Sequence, residues 1–261
     1  MCLILFAWKA HNRFPLIFAA NRDEFYERPS APAAFWEDAP DLLAGRDLRE
    51  GGTWFGITRT GRLAALTNYR DPSSLKTGAP SRGGLVADYL RGGENPETYL
   101  RRIENTADRY NGFSLIVGDP GELFFFSNRG GRKRLQPGVH GLSNRLLDTP
   151  WPKVERGKGA LRDLLREKNG PSPEALFAIL GDRSRPPDDR LPETGVGIEW
   201  ERILSPLFIE SPVYGTRSST VLRVDRNGVA TFIERVFNGR KVPHAERRFD
   251  FQIGDVSKNR R

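Results

Sequence analysis

The chain carries a single cysteine, and it stands at position 2. A thiol attacks carbonyl carbon only as the thiolate, so something has to take its proton. A free α-amine has a pKa of about 7.7–8.0 and a free thiol one of about 8.5. Trimming of Met1 would therefore leave Cys2 with its own base, and a nucleophile activated by its own amine needs no histidine. The competing reading is a small buried hydrophobe, the ordinary fate of a free cysteine. The three histidines, His11, His140 and His244, are scattered. With one cysteine they build no standard structural zinc site, and no metal is expected. His140, beside a strand end, reads as structural.

A polar run, Asn21-Arg22-Asp23-Glu24, follows an apolar stretch and precedes Phe25-Tyr26. Cys2 to Trp8 and 15–20 are separated by a short turn and should pair as a hairpin, which returns this run beside Cys2. There Arg22 would lower the thiol pKa, and Asp23 or Glu24 would orient an amine. The alternative is a turn with surface charges. Asn68 and Asn144 each end a strand. An amide there is a neutral donor to an oxyanion in acyl transfer, or else the start of a turn. Trp54 is bracketed by Gly51-Gly52 and Gly56, so it lines a pocket or packs in the core. Arg217 opens a late strand, as an edge charge or an anion contact. The candidates for a catalytic role are Cys2, Arg22, Asp23, Asn68, Asn144 and Arg217, with the alternatives for each still open. Asn21, Glu24, Trp54 and Arg70 are expected to line the substrate. Ser81-Arg82-Gly83-Gly84 opens a helix, either as a plain cap or as an anion site.

These residues need a scaffold. Apolar and β-branched runs predict strands at 2–8, 15–20, 53–58, 62–67, 113–117, 122–127, 139–143, 219–225 and 229–237. Asp225-Arg226-Asn227-Gly228 is a strong hairpin signal. Helices are expected over 82–91 with a Ser81 cap, over 96–108 and 151–167, and from Ser172-Pro173 to Gly181. The proline-rich stretch 182–197 reads as a surface loop. Strands, helices and strands in alternation predict an α+β chain of hairpin-built sheets, one domain over 1–261.

Composition narrows the classes. Hydrophobic residues are 38% and charged residues 28% of 261, a soluble balance with ample material for a core. No apolar stretch is long enough for a membrane helix, and the apolar start lacks the basic leader of a secretion signal. One cysteine suits a reducing cytoplasm. The net charge of +8 comes mostly from arginine spread along the chain. It favours anionic ligands in general, and no nucleic-acid-binding motif accompanies it. Lys258-Asn259-Arg260-Arg261 reads as a frayed tail. There is no P-loop, no Gly-x-Ser-x-Gly elbow and no papain-type cysteine signature.

Taken together, Met-Cys at the start, Asn21-Arg22-Asp23-Glu24, Gly51-Gly52-Thr53-Trp54, Leu66-Thr67-Asn68-Tyr69-Arg70, Gly141-Leu142-Ser143-Asn144 and Tyr214-Gly215-Thr216-Arg217-Ser218 resemble the NRDE family, also called the transport and Golgi organisation 2 family. The match runs from residue 1 to about residue 250. That family is in turn similar to N-terminal nucleophile hydrolases of the penicillin V acylase and bile salt hydrolase type. The resemblance implies a four-layer αββα sandwich, two antiparallel sheets flanked by helices. It also implies attack on an amide by a trimmed N-terminal Cys2, assisted by Arg22, with Asn68 and Asn144 in the oxyanion hole and Arg217 a looser match. Those hydrolases place their Asp three positions after the Arg, where this chain has Phe25, so the acid facing Cys2 is Asp23 or Glu24. Three readings stand. The first is an acyl-group hydrolase or acyltransferase acting on an amide or thioester with no required cofactor. The second is a non-catalytic binder of haem or acyl-coenzyme A in the same pocket, and the third is a scaffold.

Overall fold

The computed structural model describes residues 2–239 and 242–254; the basic end at 258–261 lies outside them. Chain order begins with β1 (Cys2–Trp8), β2 (Leu16–Phe25), β3 (Ser30–Trp36), β4 (Ala39–Asp47), β5 (Phe55–Thr58) and β6 (Leu63–Asn68). Two helices follow, α1 (Gly83–Arg91) and α2 (Pro96–Glu104), then β7 (Phe113–Gly118), β8 (Leu123–Ser127), β9 (Gly131–Arg134) and β10 (Gly138–Leu142). The remainder is α3 (Pro152–Leu164), α4 (Pro173–Leu180), α5 (Ile198–Leu204), β11 (Tyr214–Val224), β12 (Val229–Val236) and β13 (Ala245–Gln252).

The strands form two antiparallel sheets, in the orders β10-β1-β2-β11-β12-β13 and β3-β4-β5-β6-β7-β8-β9. Strand side chains alternate between faces, and the burial of β1 shows the result. Ile4, Phe6 and Trp8 join the core between the sheets, whereas Leu3, Leu5 and Ala7 pack with Val154 and Leu161 of α3 and Leu176 and Leu180 of α4. On the second sheet, Leu42, Ala64 and Leu66 face Leu85, Tyr89 and Tyr99 of α1 and α2. The layers therefore run helix, sheet, sheet, helix. Between the sheets Phe6 stacks on Phe18 at 4.8 Å, Phe18 on Phe55 at 5.7 Å and Phe55 on Phe232 at 5.7 Å. Because Cys2 shares the parity of Ile4 and Phe6, its side chain falls on the inter-sheet side.

Several sequence expectations change. The polar run at 21–24 is no turn: β2 continues through it to Phe25, because β11 offers Thr216, Ser218 and Ser219 as a polar partner. Strands β3, β4, β9 and β13 and helix α5 were unforeseen. The helix expected over 96–108 ends at Glu104, with a separate 3-10 turn at Ala107–Arg109. Ser81 does not cap α1; Arg82 holds that position and its side chain makes no cap hydrogen bond. Among the described residues, no helix is long and apolar enough to cross a membrane.

Candidate active site

Cys2 opens β1 directly opposite Arg22 on β2, and Arg22 in turn stands opposite Ser218 on β11. Both are at the end of the sandwich where the apolar inter-sheet core gives way to polar groups. Here a cavity of about 240 Å³ opens, walled by Cys2, Arg22, Trp54 and Asn68, with Ser81 and Arg82 at the start of α1. Trp54 reaches across from the second sheet, and the Arg22 guanidinium lies 4.2 Å from its ring centre. Gly52 makes this approach feasible: a Cβ there would sit 2.4 Å from the Gly83 carbonyl carbon, so only glycine lets the Trp54 loop rest on the start of α1.

Cys2 is half-buried. Burial pushes its thiol above the ordinary range, and the neighbouring Asp23 charge acts in the same sense; the Asp23 backbone N–H, donating to the sulfur, and the Arg22 guanidinium act against it. The thiol therefore rests protonated and needs a base. Asp23 is the acid beside Cys2. It is 1% exposed, and its Oδ1 accepts a 2.7 Å hydrogen bond from Thr216 Oγ1. Burial raises its carboxyl to about 6, although Lys153 and Arg22 favour the ionised form. Glu24 lines the mouth of the cavity instead. Its Oε1 accepts from the Phe25 N–H at 3.0 Å, and its other oxygen is 4.0 Å from Arg28 Nε.

Four of the expected site residues do other work. Asn21 faces the helical layer, where its Nδ2 donates to the carbonyls of Leu180 and Leu207 at 2.9 and 2.8 Å, and its Oδ1 accepts from Ser219 Oγ at 2.6 Å. A substrate-lining role for Asn21 is set aside, since its polar atoms are used inside the fold. Arg70 is buried in an ion pair with Glu201, Nη1 to Oε2 2.6 Å, over the Trp151 ring and away from the Cys2 cavity. Arg217 sits in a β-bulge, and its guanidinium donates to the carbonyls of Phe25 and Arg28 and to Asn238 Oδ1. It braces the loop after β2 rather than facing Cys2. Asn144 is fully buried outside the cavity lining; its Nδ2 donates to the Asn68 carbonyl at 2.9 Å. It holds Asn68 in place, and Asn68 alone of the two amides lines the cavity.

Several buried charges went unnoticed in the sequence, among them Lys153, Lys158, Glu201 and Glu234. Lys153 is 3% exposed, donates to the Leu204 carbonyl at 3.0 Å and is lowered to about 8 by burial. Its signal was available: with Lys158 it falls among Val154, Gly157 and Leu161 on the buried stripe of α3. Glu234 reaches from β12 to the Ala33 N–H of β3 at 2.7 Å. His140 bonds Asp148 Oδ2 at 2.8 Å and the Gln136 carbonyl at 3.0 Å, a structural role apart from Cys2. No cluster suited to holding a metal ion occurs among the described residues.

A family model, TANGO2, described as Transport and Golgi organisation 2, matches residues 1–239. A Transport and Golgi organization protein 2 homolog of Bos taurus is 38% identical over 92% of this chain and 94% of its own length. Its Homo sapiens counterpart is 36% identical over 97% of this chain and 99% of its own. Among solved structures, the mutant C2A conjugated bile acid hydrolase from Clostridium perfringens superposes with a TM-score of 0.53 at 10% identity, covering 96% of this chain and 92% of that one. At that identity the likeness speaks for the fold, which is that of the N-terminal nucleophile hydrolases.

Proposed function

The chain belongs to the Transport and Golgi organisation 2 family, and from that premise we propose that it transfers acyl groups, cleaving a small amide or thioester through Cys2. One observation carries the reading: the Cys2 sulfur lies at the wall of a polar cavity, receives the Asp23 N–H, and faces a guanidinium braced on Trp54.

The chemistry requires removal of whatever precedes Cys2, so that its α-amine is free. A raised thiol suits this scheme, because the amine, and not a preformed thiolate, then starts the reaction. The amine takes the thiol proton as sulfur bonds to the carbonyl carbon. Charge develops on the carbonyl oxygen, for which the Asn68 amide, held by Asn144, is the side-chain donor at hand. The leaving nitrogen or sulfur takes the proton back from the ammonium as its bond to carbon breaks. Water then hydrolyses the thioester on Cys2, or another nucleophile accepts the acyl group. No cofactor enters these steps. The lone cysteine suits action in a reducing cytoplasm. The walls favour a small polar ligand over haem or a long acyl chain, since charged and amide side chains outnumber Trp54, Leu66 and the other apolar groups.

Intact mass of the purified protein tests whether Cys2 is terminal. A panel of amides and thioesters should leave an acyl adduct on Cys2, visible by mass spectrometry. Cys2→Ala should remove the adduct and lower turnover by at least about a thousandfold while ligand affinity stays nearly unchanged, since the sulfur acts mainly in the transition state. Saturable binding of haem or acyl-coenzyme A with neither adduct nor turnover would instead favour a non-catalytic carrier.

A further inference from the structure

Arg22 is 6% exposed, makes no ion pair among the described residues, and its Nη1 has no hydrogen-bond acceptor. The buried carboxyls of Asp23 and Glu234 feel its charge, but burial pushes both toward the protonated form, so they and the Trp54 face offset only part of the cost of taking a guanidinium out of water. The other charges of the cavity are accounted for differently. Asp47 is paired with Arg28 at 2.7 Å, Glu24 lies 4.0 Å from the same Arg28, and Asp23 accepts from Thr216. Glu50 is exposed at the rim. The lining thus holds three arginines, Arg22, Arg28 and Arg82, and four acids, Asp23, Glu24, Asp47 and Glu50, and of the arginines only Arg28 is in an ion pair among the described residues. Arg82 spends Nη1 on the Gly112 carbonyl at 3.0 Å and has no carboxylate partner among the described residues. It stands at the N-cap of α1, a nine-residue helix with no side-chain cap, whose first N–H groups at Gly83 and Gly84 lack intrahelical acceptors. Gly83 belongs to the same cavity wall as Arg22. A buried guanidinium with no ion pair among the described residues and the N-terminus of α1, a helix packed on the second sheet, thus line one space.

We propose that this space holds an anionic group of the ligand, a carboxylate or a phosphate, between the Arg22 guanidinium and the N-terminus of α1. The substrate of Cys2 is then an acyl compound bearing a second, negatively charged group. The helix dipole and its free N–H groups bind oxyanions, and a guanidinium binds them in two-pronged fashion. That the anion belongs to a substrate of Cys2 rests on the acyl-transfer reading; the anion site does not.

The test uses the Cys2→Ala chain and the wild type, with inorganic phosphate, succinate and neutral succinamide as probes in calorimetric titrations. Phosphate or succinate should bind saturably and succinamide should not. Affinity should fall about tenfold or more in Arg22→Gln and in Arg82→Gln, the loss expected for one charge-assisted hydrogen bond, and should weaken with added salt. Phosphate alone points to a phosphate ester, and succinate alone to a carboxylate-bearing ligand. If Arg22→Gln fails to fold by circular dichroism, Arg82→Gln, whose side chain is half-exposed, decides. No saturable anion binding, equal binding of succinamide, or unchanged affinity in the folded Arg variants would overturn the proposal. Anion binding without any adduct on wild-type Cys2 would keep the anion site and remove the catalytic reading; an adduct without anion binding would do the reverse.

Discussion

Asn21 and Arg22 are adjacent, yet the two-residue period of β2 sends their side chains to opposite layers. Arg22 meets Trp54 and the cavity; Asn21 fastens the sheet to the segments that end at Leu180 and Leu207. A buried donor removed from its acceptor leaves an unsatisfied carbonyl, at about 1–3 kcal/mol each. Asn21→Ala strips partners from two carbonyls and from Ser219 Oγ, and is expected to cost about 2–4 kcal/mol in urea unfolding. A loss below about 0.5 kcal/mol would mean these bonds contribute little in solution.

At the scale of elements, the chain from Asp182 to Leu204 is held against the sandwich through α5. Glu201 accepts from Arg70 Nη1 at 2.6 Å and from the Thr194 N–H at 3.0 Å, and Arg70 extends toward Asn144 Oδ1 at 3.4 Å. The link runs on through Asn144 to the Asn68 carbonyl, so this strap braces the amide that lines the cavity. Both side chains of the ion pair are 4% exposed. Removing one partner of such a pair costs about 3–5 kcal/mol, whereas replacing both with apolar groups is often neutral. Glu201→Ala should therefore lower the urea midpoint sharply, and Arg70→Met with Glu201→Leu should recover most of it. A double variant as unstable as the single one would contradict this account of the strap.

For the whole molecule, apolar packing joins the two sheets, and a buried acid also bridges them. Glu234 of β12 bonds the Ala33 N–H of β3, and burial raises its carboxyl to about 7. Its native pKa lies above its ordinary value of 4.5. Between pH 4.5 and 7 the folded chain therefore holds a proton that the unfolded chain releases. That contribution is complete below pH 4.5 and lost as pH rises through 7, with a ceiling of about 3 kcal/mol. Asp23, raised from 3.8 to about 6, acts in the same direction at lower pH. Glu234→Gln should consequently gain stability relative to wild type between pH 5 and 8, read as melting temperature against pH. Parallel curves for the two proteins would show that Glu234 does not titrate in this range.

The sequence by itself determined the broad scaffold. Alternation in β1, the Asp225–Gly228 hairpin and the apolar stripes of α1 to α4 are local patterns, and the structure reproduces them within a few residues. It also singled out Cys2, Arg22, Asp23, Asn68 and Trp54, because polar or aromatic residues at the ends of apolar strands are legible as such; the cavity walls include all five. Strands β9 and β13 escaped because they lie at sheet edges, where Arg-rich, half-exposed faces erase the apolar alternation. In β3 and β4, Pro32 and Pro40 concealed the extended runs. Only the tertiary structure decided that Arg70, Asn144 and Arg217 brace the fold and that Asp23, not Glu24, lies beside Cys2. A strand's period says that neighbours diverge, but which face becomes cavity and which becomes core depends on partners such as Glu201, Asn238 and Lys153, far away along the chain. Burial and the raised carboxyl of Asp23 are likewise properties of the assembled layers, because the desolvation that causes them is supplied by other strands and helices.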